Sequence, residues 1–122
     1  MIAYGLAAGR IAIGAGLWAA PRLSMGALGF RDPSPETIAI ARVAGTRDLI
    51  LGAWQLSAIG DDEQLARASA AVAACDAGDA VAFGLLYAGG NRAAGLRGLA
   101  AAVPATVVGL MLVRNLRGRT PA

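Results

Sequence analysis

Four stretches of mostly apolar residues, 16 to 24 residues long, occupy most of this chain. They cover residues 1–20, 37–60, 66–89 and 98–113, and each approaches the length that a helix needs to cross about 30 Å of hydrocarbon. Backbone polar groups find no water inside a bilayer, so such a segment must satisfy them internally, as a helix does. The pattern predicts an all-α fold: an integral membrane four-helix bundle that forms a single domain.

The composition supports this prediction. Only 16% of the residues are charged, against about 25% in typical soluble domains, and 30 alanines and 17 glycines provide the small side chains that let membrane helices approach closely. An Ala-rich soluble bundle is the alternative, but no segment carries the charged face that it needs. The chain has no His, the commonest ligand of zinc and haem, and we expect no cofactor and no metal.

The basic residues bear on the partner and the orientation. The net charge of +3 comes from scattered Arg residues, so we expect the lipid bilayer as partner and no nucleic acid. Three of them follow the last span in a cluster, Arg114, Arg117 and Arg119. By the positive-inside rule this cluster predicts a multi-pass protein of the cell membrane with a cytoplasmic C-terminus. A cleaved signal peptide is disfavoured, because Arg10 lies in the middle of the first span.

Charged residues inside the predicted spans are the most informative feature for function. Six of them lie away from the ends of the spans: Arg10, Arg42, Arg47, Asp48, Asp76 and Asp79. All except Arg42 fall within a few Å of the middle of their span, given a rise of about 1.5 Å per residue. Each charge at a helix centre costs about 2.5–3.5 kcal/mol to insert, and the six charges sum to zero. We therefore expect a buried network that joins the first three spans.

Helical spacing predicts which faces carry this network. One face of the second span holds small and polar residues: Ala41, Gly45, Asp48, Gly52 and Gln55. One broad face of the third span holds Ser69, Asp76, Asp79, Phe83 and Tyr87. The uncharged fourth span is expected to close the bundle. Gly5 and Gly9 form a GxxxG pattern that predicts packing within the chain, and Trp18 is expected to anchor the end of its span at the membrane interface.

The second span also carries a short motif, Gly45-Thr46-Arg47-Asp48 followed by Gly52. With an Asp in the middle of the third span, it resembles a family of small four-span membrane proteins of unknown function that is similar in layout to the DoxX-like proteins. The resemblance implies a four-span architecture with a polar site at Arg47 and Asp48, and either Asp76 or Asp79 as the acid of the third helix. Members of that family often carry a His near the start of the fourth span. This chain departs from that pattern because it has no His, so a mechanism that needs an imidazole is not expected here.

The predicted function is acid/base chemistry on a lipid-soluble small molecule, such as epoxide opening, isomerisation or cyclisation. Two carboxylates one turn apart cannot both ionise cheaply in a low dielectric, so one is expected to hold a proton while the other acts as base. The candidate catalytic residues are Asp48, Asp76, Asp79, Arg10 and Arg47, and the candidate substrate-binding residues are Tyr87, Gln55, Trp54 and Phe83.

Two alternatives come from other classes of function. The charge pairs could act as a structural core, in a protein that works as an accessory subunit of a membrane partner or as a homo-oligomer. Carboxylates at mid-membrane depth are also typical of proton or ion pathways.

Overall fold

The computed structural model describes residues 2–119, so Met1, which begins the first predicted span, lies outside them. The described residues form five helices and no strand, and the all-α prediction is confirmed. The helices are α1 (Ile2–Ala19), α2 (Pro21–Ala27), α3 (Pro35–Ser57), α4 (Asp62–Ala88) and α5 (Arg92–Arg117).

Three polar side chains fix where the long helices begin. Ser34 Oγ accepts a hydrogen bond from the backbone N–H of Thr37 at 3.2 Å, as expected for a cap followed by Pro35 in the first turn. Asp61 caps α4 by accepting from two backbone N–H groups. Asn91 accepts from Ala94 N–H at 3.2 Å, and this cap lets α5 start well before the predicted span 98–113.

The connector between the first two predicted spans contains the short helix α2. Pro21 occupies the first turn of α2, where its missing N–H is not needed. Met25 of this helix packs in a small core with Leu17 of α1 and Ala41 of α3. The helix forms because this core buries one of its faces, while Leu23 on another face is 78% exposed.

The chain divides into two compact units, residues 1–56 and 57–122. In the first unit, α1 and α3 run antiparallel, since Gly14 contacts Gly45 while Ala7, earlier in α1, contacts Gly52, later in α3. In the second unit, α4 and α5 form an antiparallel hairpin. Its paired positions are Ala73 with Gly109, Phe83 with Gly98, and Tyr87 with Gly95.

Three of the described helices, α1, α4 and α5, are long and apolar enough to cross a membrane. The helix α3 has 23 residues but is not among them, because every stretch of 18 residues within it contains Arg42, Arg47 and Asp48. All four long helices expose large apolar side chains, among them Ile13, Ile50, Leu85 and Leu110. These features are consistent with a membrane protein.

Candidate functional site

A charged cluster of Arg10, Arg47 and Asp48 joins α1 to α3 within the first unit. Arg10 Nη1 donates to Asp48 Oδ1 at 2.9 Å. Arg47 Nη2 and Nε reach the same oxygen at 3.3 and 3.4 Å. The side chains of Arg10 and Asp48 are 11% and 9% exposed, whereas that of Arg47 is 35% exposed. One carboxylate oxygen thus receives two guanidinium groups, one of them deeply buried.

Glycines bring the two helices close enough for this cluster to form. A Cβ atom on Gly45 would lie 2.7 Å from the carbonyl oxygen of Gly14, and a Cβ on Gly52 would lie 3.1 Å from that of Ala7. Asp48 lies between these two contacts on α3, and Arg10 lies one turn before Gly14 on α1. Because the two helices approach closely here, the carboxylate of Asp48 faces the guanidinium of Arg10.

The predicted face of α3 is confirmed: its buried residues are Ala41, Gly45, Asp48, Gly52 and Gln55. Gln55, a candidate substrate contact, is fully buried, whereas Trp54 is 43% exposed. The GxxxG prediction is wrong, because a Cβ on Gly5 or Gly9 would meet no atom within 4 Å. Gly14, further along α1, makes the close contact instead.

The expected place of Arg42 in the buried network is also wrong. Arg42 is exposed; its Nε donates to the carbonyl oxygen of Trp18 at 3.2 Å, and its guanidinium lies 5.7 Å from the centre of the indole ring. Residue 42 lies beside the buried stripe of α3 rather than on it, so the helix rotates its side chain away from Asp48. Helical phase could have indicated this from the sequence.

The second unit holds the remaining candidates. Asp76 and Ser69 are buried, and Asp79 is half-buried. The ring of Phe83 lies against Gly98, where a Cβ would come within 2.1 Å of it. Tyr87 is 41% exposed, and its ring lies 5.8 Å from the guanidinium carbon of Arg92.

The positions of these residues do not test several of the expectations, which stay predictions. The extension of the charged network to Asp76 and Asp79 is one, and the substrate contacts of Tyr87, Gln55, Trp54 and Phe83 are others. Among residues 2–119, no group of three His, Cys, Asp or Glu side chains could hold a metal ion. Hydrogen-bonding and ion-pairing chemistry centred on Asp48 is what the described cluster offers.

Comparison with known proteins adds no further constraint. No family model, no curated protein and no solved structure matches the chain.

Proposed function

We propose that this chain is an integral membrane protein in which α1, α3, α4 and α5 all cross the bilayer as a four-helix bundle. The length of α3 and its exposed apolar side chains Ile40, Val43 and Ile50 support a crossing. The exposed Arg114, Arg117 and Arg119 support a C-terminus on the cytoplasmic side. The four-span, DoxX-like layout suggested by the motif around Asp48 belongs to the same proposal.

Within this architecture the Arg10–Asp48–Arg47 cluster serves as an ion-paired core that fixes the register of α1 against α3. The observation that carries this function is the 2.9 Å bond from Arg10 to a carboxylate seated between two glycine contacts. Apolar packing alone discriminates poorly between helix pairs in lipid, whereas a charge pair favours one register. A protein built this way suits the role of an accessory or structural subunit, as a homo-oligomer or with a membrane partner.

A double-mutant cycle tests the ion-paired core. Arg10→Met, Asp48→Asn and the double variant are unfolded with SDS in detergent micelles, and the loss of helix is followed by circular dichroism. We expect a coupling of about 1–3 kcal/mol, because the two groups share one buried hydrogen-bonded contact.

The exposed pair Arg67–Glu63 on α4 is the matched control. Its two side chains are 70% and 67% exposed, so the cycle of Arg67→Met and Glu63→Gln should give a coupling of only about 0.3–0.5 kcal/mol. Additive losses in the Arg10–Asp48 cycle, or equal coupling in both cycles, would contradict the structural role.

One observation favours a second candidate function. The Arg47 side chain is 35% exposed, so a lipid-soluble substrate would meet its guanidinium first, next to Asp48, whose side chain is 9% exposed. In this case Asp48, Asp76 and Asp79 are the acid/base groups, while Arg10 and Arg47 orient the substrate or stabilise an anion. The reaction class is epoxide opening, isomerisation or cyclisation.

Turnover of lipophilic epoxides and alkenes by the purified protein tests this second function. We expect Asp48→Asn, Asp76→Asn and Asp79→Asn to lower turnover, with Asp61→Asn, at an exposed helix cap, as the charge-matched control. Folded variants that turn over substrate as fast as the parent would rule out an acid/base role for these residues.

A further inference from the structure

The exposed surface where α1 ends against α3 carries a second polar arrangement, the Trp18 cluster of Trp18, Arg42 and Thr46. Trp18 Nε1 donates to Thr46 Oγ1 at 3.1 Å, and Thr46 Oγ1 donates to the carbonyl oxygen of Arg42 at 3.0 Å. Arg42 Nε in turn donates to the carbonyl oxygen of Trp18 at 3.2 Å. This closed set of bonds holds the indole and the guanidinium in fixed positions, although Trp18 is 52% exposed.

The orientation of Arg42 leaves the outer edge of its guanidinium available to a ligand. Its Nε is used by Trp18, and its terminal nitrogens Nη1 and Nη2 have no partner among residues 2–119. Those two nitrogens form the planar fork that binds two oxygens of a phosphate group at once. Because Trp18 holds the guanidinium, less side-chain freedom is lost when an anion binds.

The position of the cluster favours an anion at a membrane surface. Trp18 is the second-last residue of α1, whose 18 residues span about 27 Å, close to the hydrocarbon thickness of about 30 Å. Arg42 is flanked by Ile40 and Val43, which are 70% and 69% exposed. A charged group surrounded by exposed apolar side chains at the end of such a helix fits the level of the headgroups.

We propose that the Trp18 cluster binds the phosphate of a phospholipid headgroup, with Arg42 as the anion-binding residue and Trp18 and Thr46 as positioning residues. An anionic phospholipid is favoured over a zwitterionic one, because no ammonium group then competes with Arg42. The proposal rests on the membrane location argued above, but it concerns a surface separate from the Arg10–Asp48–Arg47 cluster.

Trp18 itself can report on the bound lipid. The chain has two tryptophans, so a Trp54→Phe background leaves Trp18 as the single fluorophore. This protein is reconstituted into phosphatidylcholine vesicles that contain increasing fractions of dibrominated phosphatidylglycerol, or of dibrominated phosphatidylcholine for comparison. One well-placed Arg predicts about a fivefold preference for the anionic lipid in quenching of Trp18.

Three variants distinguish a specific site at Arg42 from diffuse surface charge. Arg42→Gln should abolish the preference, whereas Arg22→Gln, an exposed Arg on α2, should leave most of it. Equal losses would assign the effect to diffuse surface charge and overturn the site. If Arg42→Gln does not fold, Arg42→Lys decides: it keeps the charge but not the fork, so the preference should fall at least twofold, and an unchanged preference would overturn the site.

The remaining outcomes separate the possible sources of the anion. If inorganic phosphate changes the emission of Trp18 in micelles, and the vesicles show no headgroup preference, the site binds a soluble anion and the lipid proposal is overturned. Equal quenching by both brominated lipids would overturn the site while leaving the membrane location intact. Failure of the protein to enter vesicles would overturn the membrane location and this site together.

Discussion

The contact between Gly14 and Gly45 makes a sharp prediction about how tightly α1 and α3 must pack. In Gly14→Ala the new Cβ would lie 2.7 Å from the carbonyl oxygen of Gly45 and 2.9 Å from the backbone nitrogen of Leu49. Ordinary van der Waals contact begins at 3.4 Å, so the backbones must separate by about 0.7 Å, the difference between the two distances. No side-chain rotation relieves a clash between a Cβ and backbone atoms.

The magnitude follows from comparison with Gly9→Ala on the same helix. Both substitutions gain up to about 1 kcal/mol of helix propensity, but a Cβ on Gly9 would meet nothing within 4 Å. Overpacking at a close contact costs about 1–3 kcal/mol. Gly14→Ala should therefore be less stable than Gly9→Ala by about that amount, because the propensity gain cancels between the two variants.

Unfolding in SDS followed by circular dichroism measures this difference in detergent micelles. Gly45→Ala should behave like Gly14→Ala, since its Cβ meets Gly14 O at 2.7 Å. The double variant should lose less than the sum, because one separation of the helices relieves both clashes. Equal stability of Gly14→Ala and Gly9→Ala would refute the close approach of α1 and α3.

Two further predictions concern the second unit. Gly95→Ala places a Cβ 2.7 Å from the backbone nitrogen of Tyr87 and should destabilise the α4–α5 hairpin by about 1–3 kcal/mol relative to Gly84→Ala, whose Cβ meets nothing within 4 Å; equal SDS midpoints would contradict this. The backbone N–H of Gln64, with lesser contributions from the Gln64 side chain and Glu63 N–H, holds the pKa of Asp61 below its ordinary value of 3.8. The stabilisation from this cap is complete above about pH 4 and is lost as the pH falls through the folded-state pKa. Asp61→Asn should therefore have a lower Tm than the parent at pH 7, and the two Tm values should converge as the pH falls through the folded-state pKa of Asp61. A difference in Tm that stays constant with pH would show that the charge of Asp61 is not involved.

Helical phase made one face of α3 predictable from the sequence. The spacing of Ala41, Gly45, Asp48, Gly52 and Gln55 alternates between four and three residues, which keeps all five on one side of a helix. Four of these positions carry small or acidic groups, and such residues lie at helix contacts in lipid or pair with an opposite charge. The same phase argument applied to residue 42 would have placed Arg42 outside the network.

Other features depend on the partner of a residue, which spacing within one helix does not contain. A GxxxG pattern marks where a helix could be approached closely, but Gly5 and Gly9 meet open space while Gly14, outside that pattern, meets α3. The helix α2 is stabilised because Met25 packs against Leu17 and Ala41, and this contact joins three separate segments of the chain. Pro21 offered a local signal for its start, but seven residues are too few to predict a helix from propensity alone.

The helix α3 shows why the charges and the fold have to be considered together. Under the proposed four-span topology, insertion of Arg42, Arg47 and Asp48 as independent charges would cost about 8–10 kcal/mol. The structure reduces this insertion cost in two ways. Arg42 lies at the level of Trp18, eight residues or about 12 Å along α1 from Arg10, where a guanidinium can reach the membrane surface. Asp48 pairs with both Arg47 and Arg10, so these charges enter as a partly neutralised cluster. The helix α3 is thus too polar to cross alone, and α1 is the helix that pairs or positions its charges. Stable insertion of α3 should therefore require α1.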